Sequence, residues 1–60
     1  MNSLHVKNAG SGVAIYEGDA WKLENLFNAL IQFPSDIVRL EIVHEDGSVI
    51  KKWLSPEWND

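Results

Sequence analysis

The chain has 60 residues, no cysteine and a formal net charge of −4. A chain this short forms one domain at most, near the lower size limit for folding without a disulfide or a metal. The lack of cysteine excludes disulfides and thiolate metal sites, and makes a cytoplasmic location the default expectation. The acidic balance disfavours direct binding to nucleic acid, and no apolar run approaches the ~18 residues of a membrane-spanning helix.

Two short alternating segments open the chain. Apolar and polar residues alternate in Leu4–Lys7 and again in Val13–Tyr16, and a stretch with two glycines separates them. This pattern predicts a β-hairpin. If Val13 and Ile15 face the core, Val6 lies opposite Ile15.

The segment Asp19–Phe33 has the pattern of an amphipathic helix, because its apolar residues recur at helical spacing. Asp19 is positioned to cap this helix through its carboxylate. Pro34 lacks an N–H group and predicts that the helix ends at Phe33. The apolar stripe comprises Ala20, Leu23, Leu26, Phe27, Leu30, Ile31 and Phe33.

The densest run of β-branched residues, Ile37–His44, predicts a third strand. The following Asp46-Gly47 predicts a tight turn into a fourth strand that reaches Leu54. Residues 55–60 show no periodicity and are predicted to form a tail. Trp58 in this tail either folds back on the domain or stays free.

Two registers are possible for the second hairpin. A two-residue turn would place Lys51 opposite Ile42, whereas a three-residue loop, with Gly47 in a left-handed conformation, pairs Ile42 with Ile50. The sequence favours the second register because it gathers apolar residues on one face and sets Glu41 against Lys51.

The order strand, strand, helix, strand, strand predicts a two-layer α+β domain, with one helix on a four-stranded, mainly antiparallel sheet. The expected strand order is 2-1-3-4, and the alternative makes strands 2 and 3 parallel neighbours. The predicted core comprises Val6, Val13, Ile15, Leu23, Leu26, Phe27, Leu30, Ile31, Val38, Leu40, Ile42, Ile50 and Leu54.

Acidic residues follow strands 2 and 3 and open the helix. If those strands run in the same direction, these carboxylates meet at one end of the molecule. This acidic pole comprises Glu17, Asp19, Glu24, Glu45 and Asp46. Turn and helix-cap chemistry accounts for such residues. The functional interpretation is a surface complementary to a basic partner.

The sheet face away from the helix is expected to be exposed. It is predicted to present a mixed apolar patch, which is either an ordinary solvated face or a partner surface. The patch comprises Tyr16, Val43, Val49 and Trp53, with His5, Lys7, Arg39, Glu41 and Lys51 around it. Trp21 lies on the polar face of the helix, where it either packs on a neighbouring segment or serves as a binding anchor.

Catalytic and metal-binding patterns are missing from the sequence. None of the serines lies in a nucleophile elbow, and Gly10-Ser11-Gly12 lacks the spacing and lysine of a phosphate loop. His5 and His44 lack the spacing of a metal-binding pair. We therefore expect no catalytic residues, no metal, no cofactor and no enzymatic activity.

In size, acidity and single-domain compactness the chain resembles small phage-encoded inhibitors, the anti-CRISPR and DNA-mimic anti-restriction proteins. The resemblance implies a non-enzymatic inhibitor that occludes the nucleic-acid-binding surface of a larger protein, with the acidic pole facing basic residues of the target. The other hypothesis is a small regulatory or accessory subunit, or a homodimer, that associates through the exposed sheet face or through an edge strand.

Overall fold

The computed structural model describes residues 1–33 and 36–56. Their elements are β1 (Asn2–Asn8), β2 (Gly12–Gly18), α1 (Ala20–Gln32), β3 (Ile37–Val43) and β4 (Val49–Leu54). The strands form one sheet in the order β2-β1-β3-β4, and all neighbours are antiparallel. The predicted two-layer α+β fold and strand order are confirmed. The parallel alternative is wrong, because β1 lies between β2 and β3.

The helix packs on the sheet through Leu23 and Phe27, which are 3% and 2% exposed. The predicted stripe is confirmed for these two residues and for Leu26, Leu30 and Ile31, which pack against the same core. It is wrong for Phe33, which is 80% exposed. Phe33 is the C-cap, with φ of −134°, so the backbone leaves the helical path there and the side chain leaves the stripe.

The helix begins where the sequence predicts, but its cap is different. The carbonyl oxygen of Asp19 accepts the N–H groups of Lys22 and Leu23, both at 3.1 Å. The Asp19 carboxylate makes no capping hydrogen bond, so the predicted side-chain cap is wrong. Pro34, which predicted the end of the helix, lies outside the described residues.

The first hairpin has a different register from the predicted one. Val6 pairs with Ala14, and Ile15 pairs with His5. The loop is three residues long and Gly12, with φ of 86°, begins β2 in a conformation that favours glycine. Because a one-residue shift reverses every side chain, Val13 and Ile15 point away from the helix and are more than half exposed.

The second hairpin begins in the predicted register and then shifts. Gly47 has a φ of 93°, and Val43 pairs with Val49, as a three-residue loop requires. A β-bulge follows, so that Ile42 pairs with Lys51 instead of Ile50. The extra residue reverses the rest of β4 relative to the prediction.

Beyond this bulge, each side chain of β4 lies on the sheet face opposite to the predicted one. Trp53 pairs with Leu40 and packs against the core beneath the helix, whereas Leu54 pairs with Arg39 and is 45% exposed. Glu41, predicted to face Lys51, instead faces Lys52. The register therefore still sets a carboxylate against an ammonium group.

The core lies between the helix and the two central strands. Its buried cluster comprises Leu4, Val6, Leu23, Phe27, Ile37, Leu40 and Ile42. The predicted core is wrong at Val13, Ile15, Ile50 and Leu54, which are all exposed, and it omitted Leu4 and Ile37. Ser55, the first residue of the predicted tail, is buried and donates its N–H to the carbonyl of Val38 at 2.9 Å. Trp58 lies outside the described residues.

Candidate functional site

The acidic pole is an end of the molecule where several elements start or stop. Glu17 pairs with Ser3, and Ser3 pairs with Val43, so the ends of β2 and β3 flank the start of β1. With strands about 4.8 Å apart, their backbones are about 9.6 Å apart there. Glu17 near the end of β2, Asp19 at the start of α1, and Glu45 and Asp46 after β3 all lie at this end.

Glu24 lies one turn further along α1 and is exposed. At about 1.5 Å per residue it is about 6 Å along the axis from the start of the helix. Glu24 therefore lies on the flank of the pole. The binding role of these five carboxylates stays a prediction.

Glu45 has a partner at the pole. The amino group of Met1 donates to its Oε2 atom at 2.6 Å. This hydrogen bond and the positive charge behind it hold the pKa of the Glu45 carboxyl below its ordinary value, with a smaller contribution from His44. Glu45 is thus ionised at neutral pH, but the ammonium group beside it offsets its charge.

Asp46 caps its own turn. Its Oδ1 atom accepts the Ser48 hydroxyl at 2.6 Å and the Ser48 backbone N–H at 2.9 Å. These two bonds hold the pKa of Asp46 below its ordinary value. The Nδ1 atom of His44 lies 3.4 Å from the same oxygen. Part of the acidic pole is therefore turn chemistry, as its sequence indicated.

A shallow cleft of about 400 Å³ opens at this pole. It lies where β1 begins, β2 gives way to α1, and β3 ends. Its walls therefore combine backbone with a few polar side chains. The lining residues are Met1, Asn2, Gly18, Asp19, Ala20, His44 and Glu45.

Trp21 lies next to the cleft in the first turn of α1 and is 61% exposed. The Nζ atom of Lys22 lies 5.4 Å from the centre of its ring. Tryptophan is enriched at interaction hot spots, and the role of Trp21 as a binding anchor stays a prediction. Along the chain Trp21 follows two residues of the acidic pole, Glu17 near the end of β2 and the cap residue Asp19.

The predicted aromatic patch does not exist as one surface. Val43 and Val49 pair on the sheet face away from the helix, with Val49 exposed. Trp53 packs beneath the helix, and Tyr16 pairs with the buried Leu4 on that same side. The placement of Tyr16 and Trp53 on the exposed sheet face was wrong, because both hairpin registers differ by one residue from the predicted ones.

The sheet face away from the helix instead carries apolar residues at its two edges and, apart from Val43, polar residues along its centre. Ile15 and Val13 lie on the β2 edge, and Leu54 and Val49 lie on the β4 edge. The central positions are occupied by Ser3, His5, Lys7, Arg39, Glu41 and Val43. The missed signal was the loop chemistry of Gly12, which fixes the register that exposes Val13 and Ile15.

The two histidines lie apart. His5 is inside β1, opposite Glu41, and its Nε2 atom is 3.1 Å from the hydroxyl oxygen of Ser3. His44 is at the pole beside Asp46. Within residues 1–33 and 36–56, no group of three or more His, Asp or Glu side chains is arranged to hold a metal ion. The Ser3–His5 contact lies on the open sheet face, away from the enclosed surroundings that nucleophilic catalysis uses.

Basic side chains concentrate away from the pole. Lys7 and Arg39 pair across β1 and β3 towards the opposite end of the sheet, and Lys51 and Lys52 lie along β4. Among the described residues, the basic groups at the pole are Lys22, His44 and the amino group of Met1, and the five carboxylates of the pole outnumber them. The charge distribution is therefore polarised along the strands.

Family models, curated proteins and solved structures give no match to this chain. In the part of the chain that the structure describes, no helix has the length and apolar character needed to cross a membrane.

Proposed function

We propose that this protein is a non-enzymatic interaction module of the cytoplasm, which docks its acidic pole on the basic surface of a larger partner. A nucleic-acid-binding surface is the expected target, because such surfaces are basic and the pole would compete with phosphate for them. The protein then acts as a small inhibitor by occlusion, without binding nucleic acid itself.

The observation that carries this proposal is the meeting of four carboxylates with an exposed tryptophan at one end. Glu17, Asp19, Glu45 and Asp46 share that end, and Trp21 is exposed beside them. Complementary charges guide association and fix orientation, whereas a desolvated aromatic side chain supplies much of the binding energy. Together they provide both elements of a protein-binding surface.

The test compares two variants with the same change in net charge. Glu17→Gln/Asp19→Asn removes two of the five carboxylates of the pole, and neither belongs to the hydrogen bonds that shape the turns. Asp36→Asn/Glu41→Gln is the control, because its carboxylates lie away from the pole. Binding to labelled decalysine at about 50 mM salt, where screening is weak, should fall several-fold more for the pole variant.

Equal loss of decalysine binding in both variants would show that only net charge matters, and would contradict docking through the pole. Occlusion itself is tested by displacement of labelled duplex DNA from protamine, which the pole variant should perform less well than the control variant. Both effects should shrink as ionic strength rises.

Trp21 is tested with an aromatic control from the other end of the same helix. Trp21→Ala should weaken binding to protamine, whereas Phe33→Ala, which removes a ring that is 80% exposed, should not. If the two alanine variants lose the same affinity, Trp21 is not the anchor.

A second candidate is a regulatory or accessory subunit that associates through the sheet face away from the helix. The exposed aliphatic residues on that face favour it. Charged and polar side chains along β1 and β3 divide those residues into two edge groups, so the face offers less continuous apolar area than the sequence suggested.

A further inference from the structure

The outer edge of β2 is open and apolar. In the order β2-β1-β3-β4, no described strand pairs with it. Val13, Ile15 and Tyr16 are 57%, 58% and 48% exposed, and the pairing of β2 with β1 is regular over all seven residues. A straight, exposed, β-branched edge is a template for another strand.

The opposite edge of the sheet carries the features that prevent such pairing. β4 contains Lys51 and Lys52, and its register shifts at a bulge after Val49. Lysines and bulges are devices that block edge-to-edge association. β2 has neither of them, so the two edges of one sheet differ in their capacity to accept a strand.

We propose that the β2 edge binds the β2 edge of a second copy of this chain, so that two sheets join into one of eight strands. Antiparallel pairing about a twofold axis perpendicular to the sheet keeps both helices on one side. Facing residues must then lie on the same side of the joined sheet. Only registers in which a residue meets its own copy satisfy this condition.

The register centred on Ala14 fits the side chains best. It sets Val13 against Ile15 of the second copy, and Ile15 against its Val13. Tyr16 then lies across from the Gly12 of the second copy, where a ring covers the missing side chain. A register centred on Ile15 or on Tyr16 would instead place an aliphatic side chain of one copy opposite Glu17 of the other copy. The Glu17 carboxylate would then lose solvation without gaining a partner.

This dimer leaves the proposed docking surface open. Because the two β2 strands run in opposite directions, the two acidic poles point away from each other at the ends of the joined sheet. The pairing thus goes beyond the pole hypothesis and makes the module bivalent, which raises avidity for a partner with two basic sites.

The joined area is small compared with the ~1,200 Å² of a stable interface. We therefore expect a reversible dimer with a Kd between about 10 μM and 1 mM, which corresponds to weak association. Sedimentation velocity and amide NMR spectra from about 20 μM to 1 mM cover this range. Concentration-dependent shifts should concentrate in residues 12–16, and a monomer throughout the range would overturn the proposal.

A pair of matched variants tests which edge of the sheet forms the dimer. Ile15→Lys and Leu54→Lys both convert an exposed aliphatic residue on the same sheet face, one at each edge. Ile15→Lys should raise the dimer Kd at least about tenfold, because it sets a charged side chain against Val13 of the second copy and places two lysines diagonally across the joined edge. Leu54→Lys should leave it unchanged. The reverse result, or equal effects, would overturn pairing through β2, provided circular dichroism shows both variants folded.

Cysteine cross-linking tests the register, because the natural chain contains no cysteine. In the proposed dimer Ala14 faces its own copy at a Cα distance of about 4.5–5.5 Å, within disulfide range. Ala14→Cys should therefore oxidise to a covalent dimer. Ile15→Cys, whose copy lies diagonally about 7–8 Å away, and Leu54→Cys should cross-link slowly. Faster cross-linking by either control would overturn the register.

Discussion

The Nζ atom of Lys51 lies 4.8 Å from the centre of the Phe27 ring, on the side of β4 that faces the helix. It also donates a hydrogen bond to Asn28 Oδ1 at 3.2 Å. The sequence pattern predicted Lys51 on the opposite face, with Ile50 in the core. The bulge between Val49 and Lys51 reverses this order and lets a lysine connect the edge strand to the helix.

We expect Lys51→Ala to lower the free energy of unfolding by about 0.5–1 kcal/mol, because it removes a cation–π contact and the apolar stem over Phe27. Lys51→Met keeps the stem and should recover part of that loss. Urea unfolding measures both. Lys52→Ala is the control, since Lys52 lies on the other face. An equal cost for Lys52→Ala would contradict the register.

Trp53 and Leu54 give a sharper test of the same reversal. Trp53 packs partly buried against the core, so Trp53→Ala should cost about 2 kcal/mol, below the ~3–5 kcal/mol of a fully buried aromatic residue. Leu54 is half exposed, and Leu54→Ala should change stability by less than about 1 kcal/mol. Chemical denaturation of the two variants decides the case, and the opposite ranking would restore the predicted register.

The elements and their order could be predicted because each has a periodicity of its own. Two patterns do not depend on the register of the strands: the 3.6-residue spacing of Leu23 and Phe27, and the β-branched run in β3. The faces of the edge strands could not be predicted in this way. A one-residue difference in strand pairing at Gly12, and another at Ile50, determine which side chains of β2 and β4 reach the core.

The acidic pole could be inferred from topology for a related reason. A one-residue slip changes the face on which a side chain lies but leaves it at the same end of its strand. Glu17 and Glu45 therefore share an end in both the predicted and the observed registers. The aromatic patch required correct faces, and it failed at Tyr16 and Trp53.

Gly47 supports the second hairpin through its backbone. Its φ of 93° lies in the left-handed region, and open space surrounds the position where a Cβ would stand. Gly47→Ala should therefore destabilise the fold by about 1 kcal/mol through backbone strain alone. Gly10 in the other hairpin also has open space but no positive φ. Gly10→Ala should be neutral or slightly stabilising, and equal losses in thermal unfolding would show that strain is not the cause.

The pH dependence of the β3–β4 turn follows from Asp46. Because its pKa is lowered in the folded state, mainly by the Ser48 hydroxyl, the turn gains stability above the ordinary carboxyl pKa. It loses that gain as pH falls through the lowered value. Ser48→Ala removes the hydroxyl donor but keeps the backbone N–H. The Asp46 pKa should therefore rise towards its ordinary value without reaching it.

Carboxyl-carbon NMR titration reads this change at the residue itself. Ser48→Thr keeps a hydroxyl donor and is the control, so it should leave the Asp46 pKa near that of the parent chain. The Glu45 pKa should stay low in both variants, because its main donor is the amino group of Met1. If the alanine and threonine variants shift Asp46 equally, the hydroxyl contact at 2.6 Å does not set its pKa. The backbone N–H would then be the donor that holds the turn.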